Sequence, residues 1–122
     1  MPAYHLHMAY IKADKDDVES QSEEYYGGMW LYEDTLDAKG FNLLLLELES
    51  GGRGKKHDHS EENEEEVYFV MEGEIEIILD DEERVSLSPD EAMYLTPDQT
   101  RQIDNTGDDR AKIVIVQSVL DE

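Results

Sequence analysis

Hydrophobic residues along the chain fall into short runs separated by acidic or glycine-containing segments. The segment Glu74–Ile77 alternates polar and apolar residues, which is typical of a strand with one face in solvent. Leu43–Leu46, Val67–Met71 and Ile113–Val116 are apolar without alternation, so both faces of these strands require cover. Many short strands with little helix predict an all-β barrel or sandwich.

The predicted elements form one domain, because 122 residues allow one core but not two. Residues 1–40 are interpreted as an N-terminal strand and an acidic loop region that pack on a barrel formed by residues 41–120. Asp14–Gly28 is a long loop or one short helical turn, and Asp80–Glu83 is a hairpin turn. The predicted strands are Tyr4–Lys12, Met29–Glu33, Phe41–Glu49, Glu66–Met71, Glu74–Leu79, Val85–Leu87, Ala92–Leu95, Arg101–Asp104 and Lys112–Leu120.

The non-alternating strands also bear on assembly. In a small barrel the inner face forms the core, so the outer apolar faces need a second cover, and a homodimer supplies the simplest one. The alternative is that the N-terminal strand or the loop of residues 14–28 folds back over them. Five large side chains are assigned to the core rather than to chemistry: Trp30, Tyr68, Met71, Met93 and Tyr94.

The charge balance is extreme. Asp and Glu number 32 against 10 Lys and Arg, which gives a formal net charge of -22 and a pI near 4.2. Such a field repels phosphate backbones, so we expect no nucleic-acid partner. The 39% of hydrophobic residues, arranged in strand patterns, argue against disorder. Dense carboxylates also suit the surface of a halophilic protein, an interpretation that composition alone leaves open.

Several classes of protein are excluded by what the chain lacks. There is no cysteine, which rules out disulfides, thiolate metal sites and cysteine nucleophiles. No apolar run is longer than Val67–Met71, so no membrane span or membrane partner is expected. Residues 1–12 lack the basic start and apolar stretch of a secretory signal, and a cytoplasmic protein is therefore expected.

Candidate chemistry is concentrated in His57-Asp58-His59. Two histidines at i and i+2 on an extended backbone point to the same side. Glu66, at the start of the next apolar strand, supplies a carboxylate, and Glu64 shares its strand parity. Two imidazole nitrogens and one carboxylate oxygen suit a divalent transition metal such as iron, manganese, nickel or zinc. His5 and His7 form a second pair without a following carboxylate and are interpreted as ordinary strand residues.

The segment from Gly51 to Gly73 resembles the first sequence motif of the cupins. Five residues separate Gly51 from His57, and six residues separate Glu66 from Gly73. The segment Pro97–Gly107 resembles the second cupin motif in degraded form. This resemblance spans residues 41–117 and implies a single-domain jelly-roll β-barrel, usually dimeric, with a metal or small ligand inside the barrel.

Two departures from the cupin pattern affect the site. The spacer between His59 and Glu66 is longer than usual, whereas Glu64 fits the shorter spacing but not the distance to Gly73, and we favour Glu66. The second-motif histidine is absent. Counting from Pro97 places Gln102 at its position, and counting back from Asn105 places Arg101 there.

The ligand set that the resemblance implies is His57, His59 and Glu66, with Gln102 as a weak fourth ligand or water in its place. An open centre of this kind suits a metal-dependent enzyme acting on a small organic molecule, dioxygenase-like or isomerase-like. If Arg101 occupies the position instead, its fixed positive charge opposes a cation and favours an anionic ligand. The alternative function is therefore a non-catalytic ligand-binding or sensor cupin with a degraded metal site. Tyr68 shares the parity of Glu66 and is the aromatic residue expected nearest the pocket.

Overall fold

The computed structural model describes residues 9–21, 27–80 and 83–121. Nearly all of the regular structure in these ranges is antiparallel β-strand, as the hydrophobic pattern predicts. A short 3₁₀ helix, Lys15–Asp17, and one α-helix accompany the strands. In chain order the elements are β1 (Ser20–Gln21), β2 (Gly28–Leu31), α1 (Tyr32–Leu36), β3 (Asn42–Leu48), β4 (Glu64–Glu72), β5 (Ile75–Leu79), β6 (Glu83–Leu87), β7 (Ala92–Leu95), β8 (Arg101–Asp104) and β9 (Ala111–Val119).

The strands form two sheets. The larger sheet has the order β1-β2-β3-β9-β4-β7, and the smaller sheet has the order β6-β5-β8. Bridges from Arg53 to Asp104 and from His57 to Arg101 place the segment of residues 53–57 alongside β8. This segment extends the smaller sheet and leads directly into the candidate histidines. The two sheets are separate ladders within the described part of the chain, and the architecture is that of a jelly roll.

The core lies between the two sheets. In β4 the residues at even positions from Glu64 to Val70 are buried, and in β9 Ala111, Ile113 and Ile115 are buried. Ile75, Ile77 and Ile103 of the smaller sheet join the same apolar cluster. The period of two therefore assigns one face of each sheet to the interior. It also places Glu64 and Glu66 on that interior face.

The N-terminal third differs from its predicted structure in two respects. The strand predicted at Met29–Glu33 ends at Leu31, because α1 begins at Tyr32 and continues to Leu36. No side chain caps this helix at its start, and it ends at Asp37 with a positive φ of 57°, so sequence signals for it are weak. Residues 9–12 are not in a strand, and the rest of the predicted strand Tyr4–Lys12, including His5 and His7, lies outside the described residues. Helices in the described ranges all lack the length and apolarity that would allow them to cross a membrane.

The core assignment was wrong for two of the five large side chains. Met71 is 45% exposed and Tyr94 is 55% exposed, whereas Tyr68 is 3% exposed. Both exposed residues lie on the outer face of the larger sheet, opposite to Tyr68 and Met93. Their apolar character therefore belongs to a surface and not to the space between the sheets.

Gly73 closes the first motif because no side chain fits at this position. Its φ is 80°, and a Cβ atom there would lie 2.9 Å from Ala111 Cα and 3.0 Å from Arg110 O. Gly51 has the same φ of 80° but open space around it. The backbone approach at Gly73 lets the turn between β4 and β5 pack against the start of β9.

This contrast gives a matched pair of variants. Gly51→Ala should lower the free energy of unfolding by about 1 kcal/mol, because its cost is the left-handed backbone alone. Gly73→Ala should cost a further ~1–3 kcal/mol, because the added methyl group also meets backbone atoms that cannot move independently. Urea unfolding of both variants measures the difference. Equal losses would show that the backbone of Ala111 yields and that the close approach has no energetic weight.

Candidate metal centre

A pocket of about 220 Å³ opens between the two sheets, and the candidate ligands line it. Its wall is largely apolar, with a small number of polar groups. The apolar residues are Met29, Leu44, Leu46, Tyr68, Ile103 and Ile115. The polar residues are Lys55, His57, His59, Glu66 and Gln117. A mostly apolar cavity with a few convergent polar groups is the usual form of a small-molecule site.

His57 is held in one orientation by its neighbours along the chain. Its backbone N–H donates to Arg101 O at 2.9 Å, and Arg101 N–H donates back to His57 O at 2.9 Å. The ring nitrogen Nδ1 lies 2.8 Å from the carbonyl oxygen of Lys55. A carbonyl only accepts, so Nδ1 carries the proton in this contact and Nε2 keeps its lone pair. Carbonyl oxygens orient metal-ligating histidines in the same way.

His59 stands between two sets of carboxylates. Its backbone N–H donates to Pro97 O at 2.9 Å, which ties it to the loop before β8. Its Nδ1 lies 3.4 Å from one oxygen of Glu62 and 3.4 Å from one oxygen of Glu64. Its Nε2 lies 3.7 Å from Glu66 Oε2, too far for a hydrogen bond. The rings of His57 and His59 meet edge to face, with centroids 4.9 Å apart.

Glu66 is buried, with 2% of its surface exposed, and it is oriented by β9. Gln117 is its register partner in β9 and donates from Nε2 to Glu66 Oε2 at 2.7 Å. Sequence reasoning missed Gln117. The signal was present in the alternation of Ile113, Ile115 and Gln117, which places the amide on the interior face. Gln117 leaves Glu66 Oε1 without a hydrogen-bond partner among the described residues.

The donor set fits a divalent transition metal. One ligand atom each from His57, His59 and Glu66 lie within 4.8 Å of one another. Two buried polar atoms of these residues, His59 Nε2 and Glu66 Oε1, have no hydrogen-bond partner among the described residues. The Glu66 oxygen nearer to His59 Nε2 is Oε2, at 3.7 Å, whereas Oε1 lies 3.8 Å from Arg101 Nε. A buried polar atom left unpaired costs about 1–3 kcal/mol, so a ligand that engages His59 Nε2 would relieve that cost. Two neutral nitrogens and one carboxylate are a known set for iron(II) and related ions.

Glu64 belongs to a second possible group with His59 and Glu62. Burial raises the pKa of Glu64, and the neighbouring carboxylates of Glu62 and Glu66 add to the increase against the opposing effect of His59. One oxygen of Glu64 accepts a hydrogen bond from Asn42 Nδ2 at 3.2 Å. In this group His59 Nδ1 is the atom near the carboxylates of Glu62 and Glu64. In the group with Glu66, the nearer atom of the ring is His59 Nε2. The two carboxylates therefore approach opposite edges of one imidazole.

Arg101, and not Gln102, faces Glu66. The side chain of Arg101 is fully buried, and its Nε lies 3.8 Å from Glu66 Oε1. Gln102 follows on the opposite face of β8, and its Nε2 donates to the carbonyl oxygen of Gly54 at 3.0 Å. Because successive residues of a strand alternate faces, only one of the two can point between the sheets. The structure thus places the suggested fourth ligand, Gln102, away from His57, His59 and Glu66.

The asparagine of the degraded second motif has a structural role. Asn105 is fully buried, and its Nδ2 donates to the carbonyl oxygens of Leu48, Glu49 and Asp109 at 2.9–3.1 Å. Its Oδ1 accepts from the backbone N–H of Gly107 at 3.0 Å. These contacts join the loop after β3 to the loop before β9. They fix the ends of the elements that carry the site without contributing a ligand.

Two facing antiparallel sheets with a histidine pair, a glutamate and an apolar pocket between them define a small jelly-roll protein with an interior site. The family model described as "Cupin domain" matches residues 44–117. The chain therefore belongs to the cupins, as the first motif suggested. A comparison with curated proteins found no significant match.

Solved structures agree on the fold. A sugar phosphate isomerase of the cupin superfamily from Silicibacter pomeroyi is 22% identical with a TM-score of 0.75, over 90% of this chain and 76% of that one. The polyketide cyclase RemF from Streptomyces resistomycificus is 20% identical with a TM-score of 0.74, over 90% and 80% of the two chains. KdgF from Halomonas sp. is 17% identical with a TM-score of 0.70, over 93% and 94%. At these identities the likeness establishes the fold.

Proposed function

We propose that this cupin binds one divalent transition metal through His57, His59 and Glu66 and acts on a small organic molecule in the adjoining pocket. The observation that carries the proposal is the cluster of possible ligand atoms from His57, His59 and Glu66, in which His59 Nε2 is buried without a hydrogen-bond partner among the described residues. The tautomer of His57 also presents Nε2 as an acceptor. Three protein ligands leave coordination positions open for a substrate.

The chain's own residues divide the remaining tasks. The apolar wall formed by Leu46, Ile103 and Ile115 excludes water from the carbon skeleton of a bound molecule. Gln117 donates to Glu66 Oε2 and so orients the carboxylate, with Oε2 toward His59 and Oε1 toward Arg101. A metal bound there would act as a Lewis acid that polarises an oxygen of the substrate. Two similarly folded proteins are named as an isomerase and a cyclase, which supports an isomerase-like reaction, with dioxygenase-like chemistry as the other class.

Metal analysis of the purified protein tests this proposal directly. We expect close to one equivalent of metal per chain after incubation with iron(II), manganese, nickel or zinc and removal of excess ion. The control is His57→Ala with His59→Ala, which removes both nitrogens and keeps every carboxylate of the acidic surface. Equal metal retention by this double variant would assign the bound ion to surface carboxylates and contradict the proposed centre.

The second candidate function is non-catalytic binding of a small ligand. The observation that favours it is Arg101, a fixed cation 3.8 Å from the proposed carboxylate ligand, where a four-ligand cupin has a histidine. Its charge opposes that of a metal. A protein that stays metal-free but binds organic anions would support this alternative. Metal retention that depends on His57 and His59 would exclude it.

We also propose that a second copy of the chain covers the outer face of the larger sheet. Phe69, Met71, Tyr94 and Val116 are 37–55% exposed there and lie on the neighbouring strands β4, β7 and β9. Helix α1 packs against β3 and covers part of the same face, with Tyr32 lining a groove beside Leu45 and Met71. What remains open is a continuous apolar surface, which can pair with an identical surface about a two-fold axis.

Light scattering at micromolar concentration should therefore give twice the monomer mass of 14.1 kDa. Phe69→Ser should shift the equilibrium toward monomer, because it removes an aromatic anchor from the middle of the face. Val119→Ser is the control, since Val119 is 62% exposed but shares the strand parity of the interior face. A monomeric mass for the unmodified chain would remove the dimer.

A further inference from the structure

Positive charge is scarce in this chain and is concentrated beside the candidate site. Of the 10 Lys and Arg residues, three lie within the four positions from Arg53 to Lys56. Lys55 lines the pocket that contains His57, His59 and Glu66, and it also lines a neighbouring surface pocket with Arg53 and Lys56. In a chain with a formal charge of -22, this segment next to the apolar pocket is a local cluster of positive charge.

The pocket has a cationic side and an anionic side. The segment of residues 53–57 runs along β8, so Lys55 and Lys56 share the smaller sheet with Arg101. Glu62, Glu64 and Glu66 lie on the other side, on β4 of the larger sheet and the turn before it. The carboxylates suit the metal.

Arg101 is a further cation beside the site. Its guanidinium is fully buried and donates from Nη2 to Thr96 O at 2.8 Å. Its Nε and Nη1 have no hydrogen-bond partner among the described residues, although Glu66 Oε1 lies 3.8 Å from Nε. Guanidinium N–H groups are donors only, and they match the oxygens of a carboxylate or a phosphate. Buried donors of a charged group left unpaired are strongly unfavourable.

We infer that the molecule held in this pocket carries an anionic group, a carboxylate or a phosphate, that is attracted by Lys55 and Lys56 at the pocket and by the charge of Arg101, which lies behind Glu66. The inference rests on the proposed small-molecule function and names its ligand class. A metal bound at His57, His59 and Glu66 would add two positive charges next to Glu62, Glu64 and Glu66 and so offset part of their negative charge. Charges beyond about 8–10 Å are screened at physiological salt, so these nearby cations outweigh the distant acidic surface.

Binding of simple probes tests the inference at constant ionic strength. Inorganic phosphate and malonate represent the two anionic groups, and malonamide is the neutral counterpart of malonate. Imidazole resonances of His57 and His59 report occupancy, by NMR titration, in protein freed of metal with a chelator and in protein loaded with zinc. We expect saturable shifts with malonate or phosphate in both forms and none with malonamide. The tighter of the two anions identifies the group that the natural ligand carries.

The test uses two double variants of equal charge. Lys55→Gln with Lys56→Gln should weaken anion binding about tenfold, because two nearby charges are lost. Lys12→Gln with Lys39→Gln makes the same change in net charge at other exposed positions and should leave the affinity unchanged. Arg101→Gln should weaken binding by about tenfold or more, and Arg101→Lys should weaken it less, since the charge stays.

Three results would overturn the inference. These are equal weakening by the two lysine pairs, malonamide binding as tight as malonate, and no saturable anion binding in either form. If the Arg101 variants do not fold, the lysine pairs still decide, because Lys55 and Lys56 are exposed. Anion binding that depends on Lys55 and Lys56 in a protein that holds no metal would support the inference and contradict the metal centre. Intact metal binding without anion binding would support the metal centre and contradict the inference.

Discussion

Replacing His59 by alanine should abolish tight metal binding while leaving the β-structure unchanged. His59 Nε2 is one of three converging ligand atoms, and the ring lies on the pocket wall with its side chain 17% exposed, outside the apolar cluster. Loss of a residue that merely orients a ligand costs about 10–100-fold in metal affinity, so loss of the ligand itself should cost more than ~100-fold. Titration with zinc or manganese, followed by calorimetry, measures the loss. Far-ultraviolet circular dichroism checks that the fold is kept.

The two glutamates provide a matched comparison for the third ligand. Glu66→Gln should weaken metal binding far more than Glu64→Gln, because Glu66 forms a possible ligand group with both histidines and its Oε2 lies 3.7 Å from His59 Nε2. Glu64 faces His59 Nδ1 and already accepts a hydrogen bond from Asn42. Burial raises the pKa of Glu64, which makes its charged form less favourable than that of an exposed glutamate.

The direction of the pKa change at Glu64 also predicts the stability of the metal-free Glu64→Gln variant, which serves as a control for the comparison of the two glutamates. A carboxyl with a raised pKa in the folded state contributes stability below its ordinary pKa of 4.5, and that contribution disappears as the pH rises through the raised value. Metal-free Glu64→Gln should therefore be at least as stable as the unmodified protein at pH 7. If Glu64→Gln loses more metal affinity than Glu66→Gln, the ligand is Glu64 and the second cluster with Glu62 is the binding site.

The sequence predicted the ligand cluster because strand parity is a strong local rule. His57 and His59 share a side of an extended segment, and Glu66 shares the interior face of β4 with Tyr68, which lines the same pocket. Parity reasoning relates residues within one extended segment, the two histidines to each other and Glu66 to Tyr68. That the histidine segment faces β4 is a non-local contact, and it was expected from the resemblance to the first cupin motif.

Strand parity did not decide whether Arg101 or Gln102 lies opposite Glu66, because the answer depends on the residue at which β8 begins. Counting from Pro97 and counting from Asn105 disagree by one residue, and a shift of one residue reverses the face of a strand. The hydrogen bonds between His57 and Arg101 fix the register and direct Arg101 inward. Gln117 was missed for a related reason, since its pairing with Glu66 requires the non-local contact of β9 with β4.

Exposure on the outer face also follows from long-range packing. Met71 and Tyr94 were assigned to the core on the basis of size and hydrophobicity, which do not identify a face. Helix α1 is a further example, because five residues without a side-chain cap carry too little local signal to distinguish the helix from the end of a strand. Its position follows from packing against β3.

Raising the potassium chloride concentration from 0.1 M to 1 M should stabilise the protein substantially. A formal charge of -22 on 122 residues opposes the compact state by self-repulsion, and most of the few cations are already paired. Examples are Lys15 with Glu47, Arg53 with Asp104, and Arg84 with Glu76 and Asp104. The screening length falls from about 10 Å to about 3 Å over this range, so repulsion among the remaining carboxylates weakens.

The ion pairs themselves oppose this gain, but their contribution is smaller. Hydrogen bonds from Lys15 and Arg110 lower the pKa of Glu47 in spite of its burial, so this partly buried cluster is only weakly screened. Pairs such as Lys39 with Asp37, in which both side chains are exposed, contribute little at any salt concentration. The balance therefore favours stabilisation.

We expect the melting temperature to rise by about 10 °C. This corresponds to a gain of about 2.5 kcal/mol in the free energy of unfolding, because each kcal/mol shifts the melting temperature of a domain of this size by roughly 4 °C. The control is a variant with Glu19→Gln, Glu83→Gln and Asp108→Asn, three exposed positions, which should melt higher in low salt and respond less to added salt. A general salting effect on apolar burial would act equally on both proteins. Parallel salt curves would therefore assign the stabilisation to apolar burial and leave the halophilic interpretation of the acidic surface without support.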